Sequence, residues 1–290
     1  MNYQLSNESI CVTVSDLGAE LQSLIKDGRE YLWNSDEKYW PERSPLLFPY
    51  VGRFTDGKYL LNGKEYEMGI HGFARHLPYT LLLKEENTLV FELSDNEETY
   101  KMYPYHFTLQ VEYELIDNTL SITYRVMNLS EDRMYFGIGG HPGFALPFDE
   151  GLTFTDYYLE FGGRSFPARV GHTPACFLSG MDEAFPLKED KYLPLSHNMF
   201  DDDAIVLKNM SDEVTLQSDK GNRKVTVSYP DLPYLGLWHA PKTEAPYICI
   251  EPWTSLPSRQ DVIEEFSYKY DLIRLGEGEE YFNTWKITVE

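Results

Sequence analysis

The stretch FTLQVEYELIDNTLSITYRV, residues 107–126, determines the fold class. Apolar residues recur at every second position on both sides of Asp117-Asn118, and this period of two is typical of strands with one buried face. A polar Asp-Asn pair between two such runs favours a tight turn. The stretch therefore predicts a β-hairpin, whose apolar faces are Phe107, Leu109, Val111, Tyr113 and Leu115 on one strand and Leu120, Ile122, Tyr124 and Val126 on the other.

The same alternation continues away from this hairpin in both directions. Residues 81–93 predict a second hairpin that turns at Glu85-Glu86-Asn87. Residues 214–229 predict a third hairpin that turns at 219–222. Near the start of the chain, alternating apolar residues predict one more strand, at Ile10, Val12 and Val14.

Helical periodicity is scarce along the chain. Only Glu97–Tyr103 and Val262–Phe266 are expected to form short helices. No composition break, linker or short repeat divides the sequence. The pattern predicts an all-β chain, with a single domain over residues 1–290 that is built as packed sheets of many mostly antiparallel strands. A division into two domains is the alternative.

Composition limits the classes of partner. The chain has 47 acidic and 25 basic residues and a formal net charge of −22. Such a surface repels polyphosphates, so neither nucleic acid nor an anionic membrane is expected as a partner. The 22 tyrosines and 16 phenylalanines favour strands and also suit carbohydrate sites, where flat rings face a sugar.

The three cysteines, Cys11, Cys176 and Cys249, are odd in number and have no CxxC spacing. Neither a disulfide framework nor a zinc site is expected from that pattern. The first residues lack the basic and then apolar pattern of a signal sequence, and no apolar run approaches the ~18 residues of a membrane span. A cytoplasmic location is therefore expected.

Three short motifs contain the residues that are best suited to chemistry. His71 lies in GIHGFAR (69–75), His141 in GGHPGF (139–144) and Glu251 in YICIEPW (247–253). The glycines, prolines and aromatics around them allow close approach of the backbone to a ligand. One acid, one base and one orienting donor suffice for proton transfer on a neutral ligand, so no cofactor is expected.

Each residue type fits one part of such chemistry. Histidine suits the acid because its unperturbed pKa is about 6.5. Glu251 suits the base if nearby histidine and arginine keep it ionised. Taken alone, each motif also has a structural explanation, as a turn histidine or as a carboxylate at a strand end.

Further motifs stand in order between and beside these three. They are GRFTDGKY at 52–59, LNGKEY at 61–66 and FDDDAIVL at 200–207. The ordered set resembles the aldose 1-epimerase, or galactose mutarotase, family over essentially the whole chain, and the finer match resembles its LacX-type branch. The resemblance implies a β-supersandwich fold and an isomerase that interconverts sugar anomers.

The resemblance also implies a role for each matching residue. Glu251 would take the proton from the C1 hydroxyl, and His141 would protonate the ring oxygen. His71 would hydrogen-bond the sugar near these oxygens and assist the acid. Arg53 and Asp202 would bind other sugar hydroxyls, as charged groups do through charge-assisted hydrogen bonds. In the run of three aspartates Asp203 is the alternative to Asp202, because the register is ambiguous by one residue.

The sequences after the two histidines differ from those of the better-known galactose mutarotases. His71 is followed by Gly-Phe-Ala-Arg and His141 by Pro-Gly-Phe. The first form also resembles a hexose-6-phosphate mutarotase branch, in which arginines bind phosphate. Arg75 is therefore a candidate for substrate binding, and a surface ion pair is the alternative for it.

A free hexose such as galactose or glucose is the expected substrate, because the net charge disfavours anions and no lysine accompanies Arg53 and Arg75. A hexose 6-phosphate is the rival substrate. A carbohydrate-binding protein that has lost catalysis is the rival function, since a fold does not fix an activity. No metal is expected, because calcium-loop spacing is absent. Monomer and homodimer both stay open.

Overall fold

A computed structural model describes residues 1–290. Its strands, in chain order, are β1 (Asn2–Ser6), β2 (Ile10–Ser15), β3 (Leu21–Lys26), β4 (Arg29–Glu30), β5 (Leu46–Leu47), β6 (Lys58–Leu61), β7 (Lys64–Glu67), β8 (Thr80–Lys84), β9 (Thr88–Ser94), β10 (Phe107–Ile116), β11 (Thr119–Asn128), β12 (Met134–Phe136), β13 (Gly139–Gly140), β14 (Gly143–Ala145), β15 (Tyr158–Phe161), β16 (Ala168–Arg169), β17 (Glu183–Ala184), β18 (Tyr192–Pro194), β19 (Ile205–Lys208), β20 (Glu213–Gln217), β21 (Val225–Ser228), β22 (Tyr234–Trp238), β23 (Tyr247–Trp253), β24 (Ile273–Leu275) and β25 (Glu280–Val289).

Two large sheets dominate the architecture. The nine-stranded sheet has the order β18-β15-β20-β21-β25-β11-β10-β9-β8. The eight-stranded sheet has the order β17-β16-β19-β22-β23-β13-β5, and β14 also pairs with β23. A four-stranded sheet, β1 to β4, and two strand pairs, β6-β7 and β12-β24, complete the fold. All pairings between these strands are antiparallel, which confirms the all-β prediction.

The three predicted hairpins are confirmed. In the first, β10 pairs with β11 so that apolar residues lie opposite apolar residues, as at Leu109 and Val126 and at Tyr113 and Ile122. The second hairpin pairs β8 with β9, and the third pairs β20 with β21. The strand predicted near the start is β2. Period two was sufficient for the first hairpin because one face of β10 is buried and the other is accessible.

One of the two predicted helices forms. The α-helix α1 spans Glu97–Met102, and the Asn96 side chain caps it by accepting from two backbone N–H groups. The remaining helical turns are short 3₁₀ segments, at Thr55–Gly57, Ala74–His76, Phe154–Asp156, His197–Phe200 and Phe266–Tyr268. None of these helices has the length and apolar character needed to cross a membrane.

The helix predicted at Val262–Phe266 is wrong, because most of that segment is irregular and extended. The backbone carbonyl of Glu264 accepts a hydrogen bond from Leu60. The Glu265 carboxylate accepts the backbone N–H groups of Asn62 and Gly63. These bonds to the β6–β7 hairpin satisfy the segment in an extended form, and local sequence could not show them.

The apolar core lies between the sheets, and β23 has a different environment on each face. A main cluster of 64 buried residues includes Ile248 and Ile250 from β23 and residues of the nine-stranded sheet. The alternate residues Tyr247, Cys249 and Trp253 belong to two small clusters on the opposite face. The eight-stranded sheet therefore has an inner face on the core and an outer face that carries Glu251. The size of the main cluster supports a single domain, which stays a prediction.

Candidate active site

Glu251 projects from the centre of β23, a strand in which all seven residues are buried. Its register partner on β22 is Gly236. A Cβ at Gly236 would lie 2.7 Å from Trp253 Cζ2 and 3.2 Å from Glu251 Cβ. A side chain at Gly236 would therefore collide with the indole and crowd the carboxylate, and the glycine leaves that space open.

His141 lies where the neighbouring strand is interrupted. β13 pairs with β23 at Trp253, and β14 resumes the pairing at Cys249, so the break falls opposite Glu251. The Pro142 carbonyl accepts the Ile250 N–H across the break at 3.1 Å. This interruption directs the imidazole at the carboxylate, and His141 Nε2 lies 3.1 Å from Glu251 Oε2. Oε2 nevertheless has no hydrogen bond of acceptable geometry, and neither has His141 Nδ1.

Burial acts on both members of this pair in the direction of the neutral form. Desolvation raises the pKa of Glu251 well above its ordinary value, and the Asp203 carboxylate raises it further. Desolvation lowers the pKa of His141 to about 3, and the Arg75 guanidinium lowers it too. The pKa of Glu251 is therefore shifted opposite to the expectation that nearby cations keep it ionised, and burial is the main cause.

His71 occupies a strained turn beside this pair. Its φ is +62°, and Gly72 follows at +72°, where a Cβ would lie 2.2 Å from the Phe48 carbonyl oxygen. His71 Nδ1 accepts the Gly52 N–H at 3.0 Å, so in the neutral ring Nε2 carries the proton. Desolvation, His141 and the two nearby arginines lower the pKa of His71, which favours that neutral ring. The two imidazoles stand edge to face, with centroids 5.9 Å apart.

Two tryptophans that no motif indicated enclose His141. Trp40 stacks on the imidazole with centroids 4.8 Å apart and an angle of 27°, and Trp238 meets it edge-on at 5.8 Å. Tyr247 in turn packs against both indoles. These rings form an aromatic wall next to the acid–base pair. Trp40 lies in a segment without periodicity or recognisable spacing, and Trp238 lies at the end of β22.

Arg75 is close to the histidines but is already paired. Its Nη1 lies 3.1 Å from Glu42 Oε2, and its side chain is 12% exposed. Its Nε donates to His76, and its Nη2 lies 3.4 Å from the Ile70 carbonyl oxygen. Glu42 was not predicted, since a single carboxylate in an acidic chain gives no signal. The structure thus brings Arg75 to the site with most of its donors occupied.

Arg53 and the aspartates lie on another side of the site. The Arg53 side chain has no ion pair, and its one hydrogen bond, at 3.3 Å, goes to the Ala175 carbonyl. Asp202 is exposed, whereas Asp203 is half-buried and close enough to Glu251 to shift its pKa. Asp203 Oδ2 accepts the Cys176 thiol at 3.0 Å. The position of Asp203 favours it over Asp202 as the aspartate of the site, although a ligand role for either stays a prediction.

One further side chain completes the buried group. His141, Cys249 and Glu251 each offer a ligand atom, and these atoms all lie within 4.8 Å of one another. No sequence pattern indicates a role for Cys249 beyond its spacing of two from Glu251, which places both on one face of β23. The group has the donor types of a soft-metal site.

Known proteins share both the sequence pattern and the fold of this chain. Residues 1–288 match the sequence profile of the family described as Aldose 1-epimerase. The chain belongs to the aldose 1-epimerase family. The chromosomal protein LacX of Lactococcus lactis subsp. lactis is 35% identical over 265 residues, which are 88% of this chain and 88% of that protein.

Solved structures agree with the family assignment. A galactose mutarotase related enzyme from Lactobacillus acidophilus is 35% identical with a TM-score of 0.95, and the match covers 100% of this chain and 97% of that one. A galactose mutarotase-like protein from Lactobacillus casei ATCC 334 is 32% identical with a TM-score of 0.95, and both chains are covered completely, at 100%. The galactose mutarotase-like supersandwich fold is thereby confirmed. Membership of this family makes the protein an isomerase-type sugar epimerase.

Proposed function

We propose that this protein interconverts the α and β anomers of a free hexose, such as galactose or glucose, by acid–base ring opening without a cofactor. The observation that carries the proposal is the 3.1 Å approach of Glu251 Oε2 and His141 Nε2 on the outer face of the eight-stranded sheet. The C1 hydroxyl and the ring oxygen are bonded to the same carbon. An acid and a base this close together can therefore act on both oxygens at once.

The proposed reaction transfers one proton from the sugar to the protein and one from the protein to the sugar, and then reverses both transfers. The Glu251 carboxylate accepts the proton of the C1 hydroxyl while protonated His141 donates to the ring oxygen. The bond between C1 and the ring oxygen breaks, and C1 becomes the carbonyl carbon of the open aldehyde. Rotation about the C1–C2 bond presents the other face of that carbonyl, and the reverse transfers close the ring as the other anomer.

The pair needs one transferable proton for this chemistry. A carboxylic acid beside a neutral imidazole and a carboxylate beside an imidazolium contain the same number of protons and have the same net charge of zero. Burial favours the first form, through the raised pKa of Glu251 and the lowered pKa of His141. Sugar hydroxyls that donate to Glu251 favour the second, reactive form.

The surrounding side chains have supporting roles in the proposal. His71, with its proton on Nε2, donates a hydrogen bond near the anomeric centre and orients the sugar. Arg53 and Asp203 bind hydroxyls farther from C1 through charge-assisted hydrogen bonds. Trp40 and Trp238 keep water away from the transferred protons, since low dielectric strengthens the electrostatic interactions there.

The pairing of Arg75 supports a neutral substrate. A phosphate would need a free guanidinium fork, and Glu42 and His76 already occupy that of Arg75. Of the two arginines at the site, only Arg53 has no carboxylate partner. A single accessible arginine in a chain of charge −22 favours hydroxyl binding over binding of a doubly charged phosphate ester.

Anomer exchange measured by NMR on galactose, glucose and glucose 6-phosphate in parallel tests both the activity and the substrate class. We expect fast exchange on at least one free hexose and little on the phosphate ester. The His141→Asn variant should lower kcat far more than it raises KM. If all three sugars exchange only at the spontaneous rate while a sugar still binds, the protein is a carbohydrate-binding protein instead.

A competition experiment addresses the rival substrate directly. Millimolar sulfate should leave the turnover of the free hexose unchanged. Strong inhibition that Arg75→Ala relieves would show an anion site at Arg75 and select hexose 6-phosphate.

A further inference from the structure

Cys249 has no part in the proton transfers proposed above, yet it is held against the residues that perform them. The thiol is free and completely buried, at 0% exposure. Glu251 follows two residues later on the same face of β23, and β14 pairs with the strand at Cys249, next to His141. A buried thiol beside an imidazole and a carboxylate is the donor combination of a soft-metal site.

The distances suit a small ion after a modest contraction. One ligand atom from each of the three residues lies within 4.8 Å of the other two. His141 Nε2 and Glu251 Oε2 are already 3.1 Å apart. Around tetrahedral zinc, with bonds of about 2.0–2.3 Å, neighbouring ligand atoms are about 3.3–3.6 Å apart. The distance between the histidine nitrogen and the glutamate oxygen is therefore close to its value around a bound ion. Only the cysteine sulfur has to move closer, by up to about 1 Å.

One oxygen of the carboxylate also lacks a hydrogen bond of acceptable geometry. Glu251 is 1% exposed, and its Oε2 has no hydrogen bond of acceptable geometry. A buried polar atom without a partner is costly, and an atom of this kind aimed into a site points to a ligand.

We propose that His141, Cys249 and Glu251 bind a thiophilic divalent cation of the zinc class, with water as the fourth ligand, and that its binding excludes turnover of the sugar. The binding part rests on the donor geometry, and the inhibitory part rests on the proposed function. Thiolate and carboxylate together balance the two positive charges of the ion, so the buried site stays neutral overall. One sulfur, one nitrogen and one carboxylate make a poor site for Mg²⁺ or Ca²⁺, which prefer oxygen ligands.

Metal and sugar compete because they use the same lone pairs. An ion on Glu251 and His141 removes the proton acceptor and blocks the nitrogen that carries the donated proton. Binding also releases the thiol proton and any proton held by Glu251, so affinity should increase with pH. The site would then let a rise in thiophilic metal reversibly stop the epimerase.

Cobalt spectroscopy tests the site without reference to activity. Co²⁺ added to the wild-type protein should produce a thiolate-to-cobalt charge-transfer band together with the visible bands of a tetrahedral ion. Cys249→Ser should abolish the charge-transfer band and weaken Zn²⁺ binding at least 100-fold in competition with a chromophoric chelator. Cys176→Ser is the matched control, because the Cys176 thiol also contacts a carboxylate but does not belong to the group of His141, Cys249 and Glu251. Its spectrum should equal that of the wild type.

A second variant covers the case in which serine disturbs the packing. Glu251→Gln keeps the shape of the side chain but offers a much poorer metal ligand, so it should also weaken the cobalt bands and Zn²⁺ affinity. Absence of the charge-transfer band in the wild type, or its persistence in Cys249→Ser, would overturn the proposed site.

The inhibitory part has its own readout. Zn²⁺ should stop anomer exchange by the wild type and by Cys176→Ser at similar concentrations, and a chelator should restore it. Relative to its own metal-free rate, Cys249→Ser should need at least 100-fold more Zn²⁺. Cobalt binding by a protein that exchanges no sugar would refute the proposed function and leave the metal site standing. Bound Zn²⁺ that does not slow exchange would refute the inhibition.

Discussion

The two large sheets differ in the length and regularity of their strands. In the nine-stranded sheet β10, β11 and β25 are each ten residues long, and buried and accessible positions alternate along them. In the eight-stranded sheet no strand exceeds seven residues, and β13 has only two. All of the predicted site residues lie in the eight-stranded sheet, in loops or in the 3₁₀ segment Ala74–His76, and none lies in the nine-stranded sheet.

The difference shows that a continuous strand ladder joins strands, whereas an interrupted one can orient a side chain. Threonine pairs such as Thr119–Thr288 and Thr123–Thr284, each 2.8 Å apart, join neighbouring strands of the regular sheet. A ladder of that kind has no position at which a side chain can be redirected. The interruption between β13 and β14 provides such a position in the other sheet, and it aims His141 at Glu251.

The largest effect should come from Glu251→Gln in the irregular sheet. The amide cannot accept the C1 hydroxyl proton, so anomer exchange should fall by ~10²–10⁴-fold. The melting temperature should not fall. Folding raises the pKa of Glu251, so above the ordinary pKa the folded chain keeps a proton that the unfolded chain releases. The free energy of unfolding therefore falls as the pH rises through that range. The amide does not titrate, so the variant lacks this loss of stability. A variant with more than half of the wild-type exchange rate would remove Glu251 from the role of base.

A smaller effect should follow from adding one methyl group at Gly236→Ala. The new Cβ would lie 2.7 Å from Trp253 Cζ2, so the indole must shift and Glu251 moves with its strand. Overpacking of this kind costs about 1–3 kcal/mol, and displacement of a reacting group by about 1 Å can cost ~10²-fold in rate. Thermal melting and NMR exchange measure the two quantities. Unchanged values for both would show that the irregular sheet tolerates substitution as well as the regular one.

A more subtle change should come from Asp203→Asn, which alters the pH profile rather than the fold. The reactive pair needs one proton, so kcat/KM should fall on the alkaline side as the pH passes the raised pKa of Glu251 and the pair loses that proton. Asp203 contributes to raising this pKa, so Asp203→Asn should move the alkaline limb to lower pH. The exposed neighbour gives the matched control, Asp202→Asn, which should leave the limb in place. A shift in the control but not in Asp203→Asn would reverse the assignment between the two aspartates.

Six of the nine strands of the nine-stranded sheet belong to the three hairpins that the sequence predicts, whereas β15, β18 and β25 were not predicted. The hairpin of β10 and β11 is predicted by its period of two, because one face of these strands is buried and the other is largely accessible. The strand β23 lacks that signal because all seven of its residues are buried. The Ile-Glu-Pro-Trp motif indicates Glu251 as a site residue, but no periodicity predicts the strand itself.

The site was predictable only where a residue lies in a motif. Glu251, His141 and His71 come together as expected from the resemblance to the family. Trp40 and Glu42 come from a segment without periodicity, and only the tertiary structure brings them to His141 and Arg75. Burial also reversed the expected direction of the Glu251 pKa shift, since a sequence shows which charges are present but not how far they are removed from water.

The smallest effect is expected in the regular sheet, from Thr123→Val. Valine has nearly the same shape and a high strand propensity, so the substitution mainly removes the hydrogen bond to the Thr284 hydroxyl. A half-buried cross-strand pair of this kind contributes less than about 1 kcal/mol, which corresponds to a shift of less than about 4 °C in melting temperature for a chain of this size. Anomer exchange should be unchanged, because no residue of the proposed acid–base group lies in that sheet. Thermal melting and NMR exchange on the same sample check both expectations. A several-fold loss of exchange at unchanged stability would show that the nine-stranded sheet is coupled to the positions of Glu251 and His141, and the division of roles between the two sheets would then be wrong.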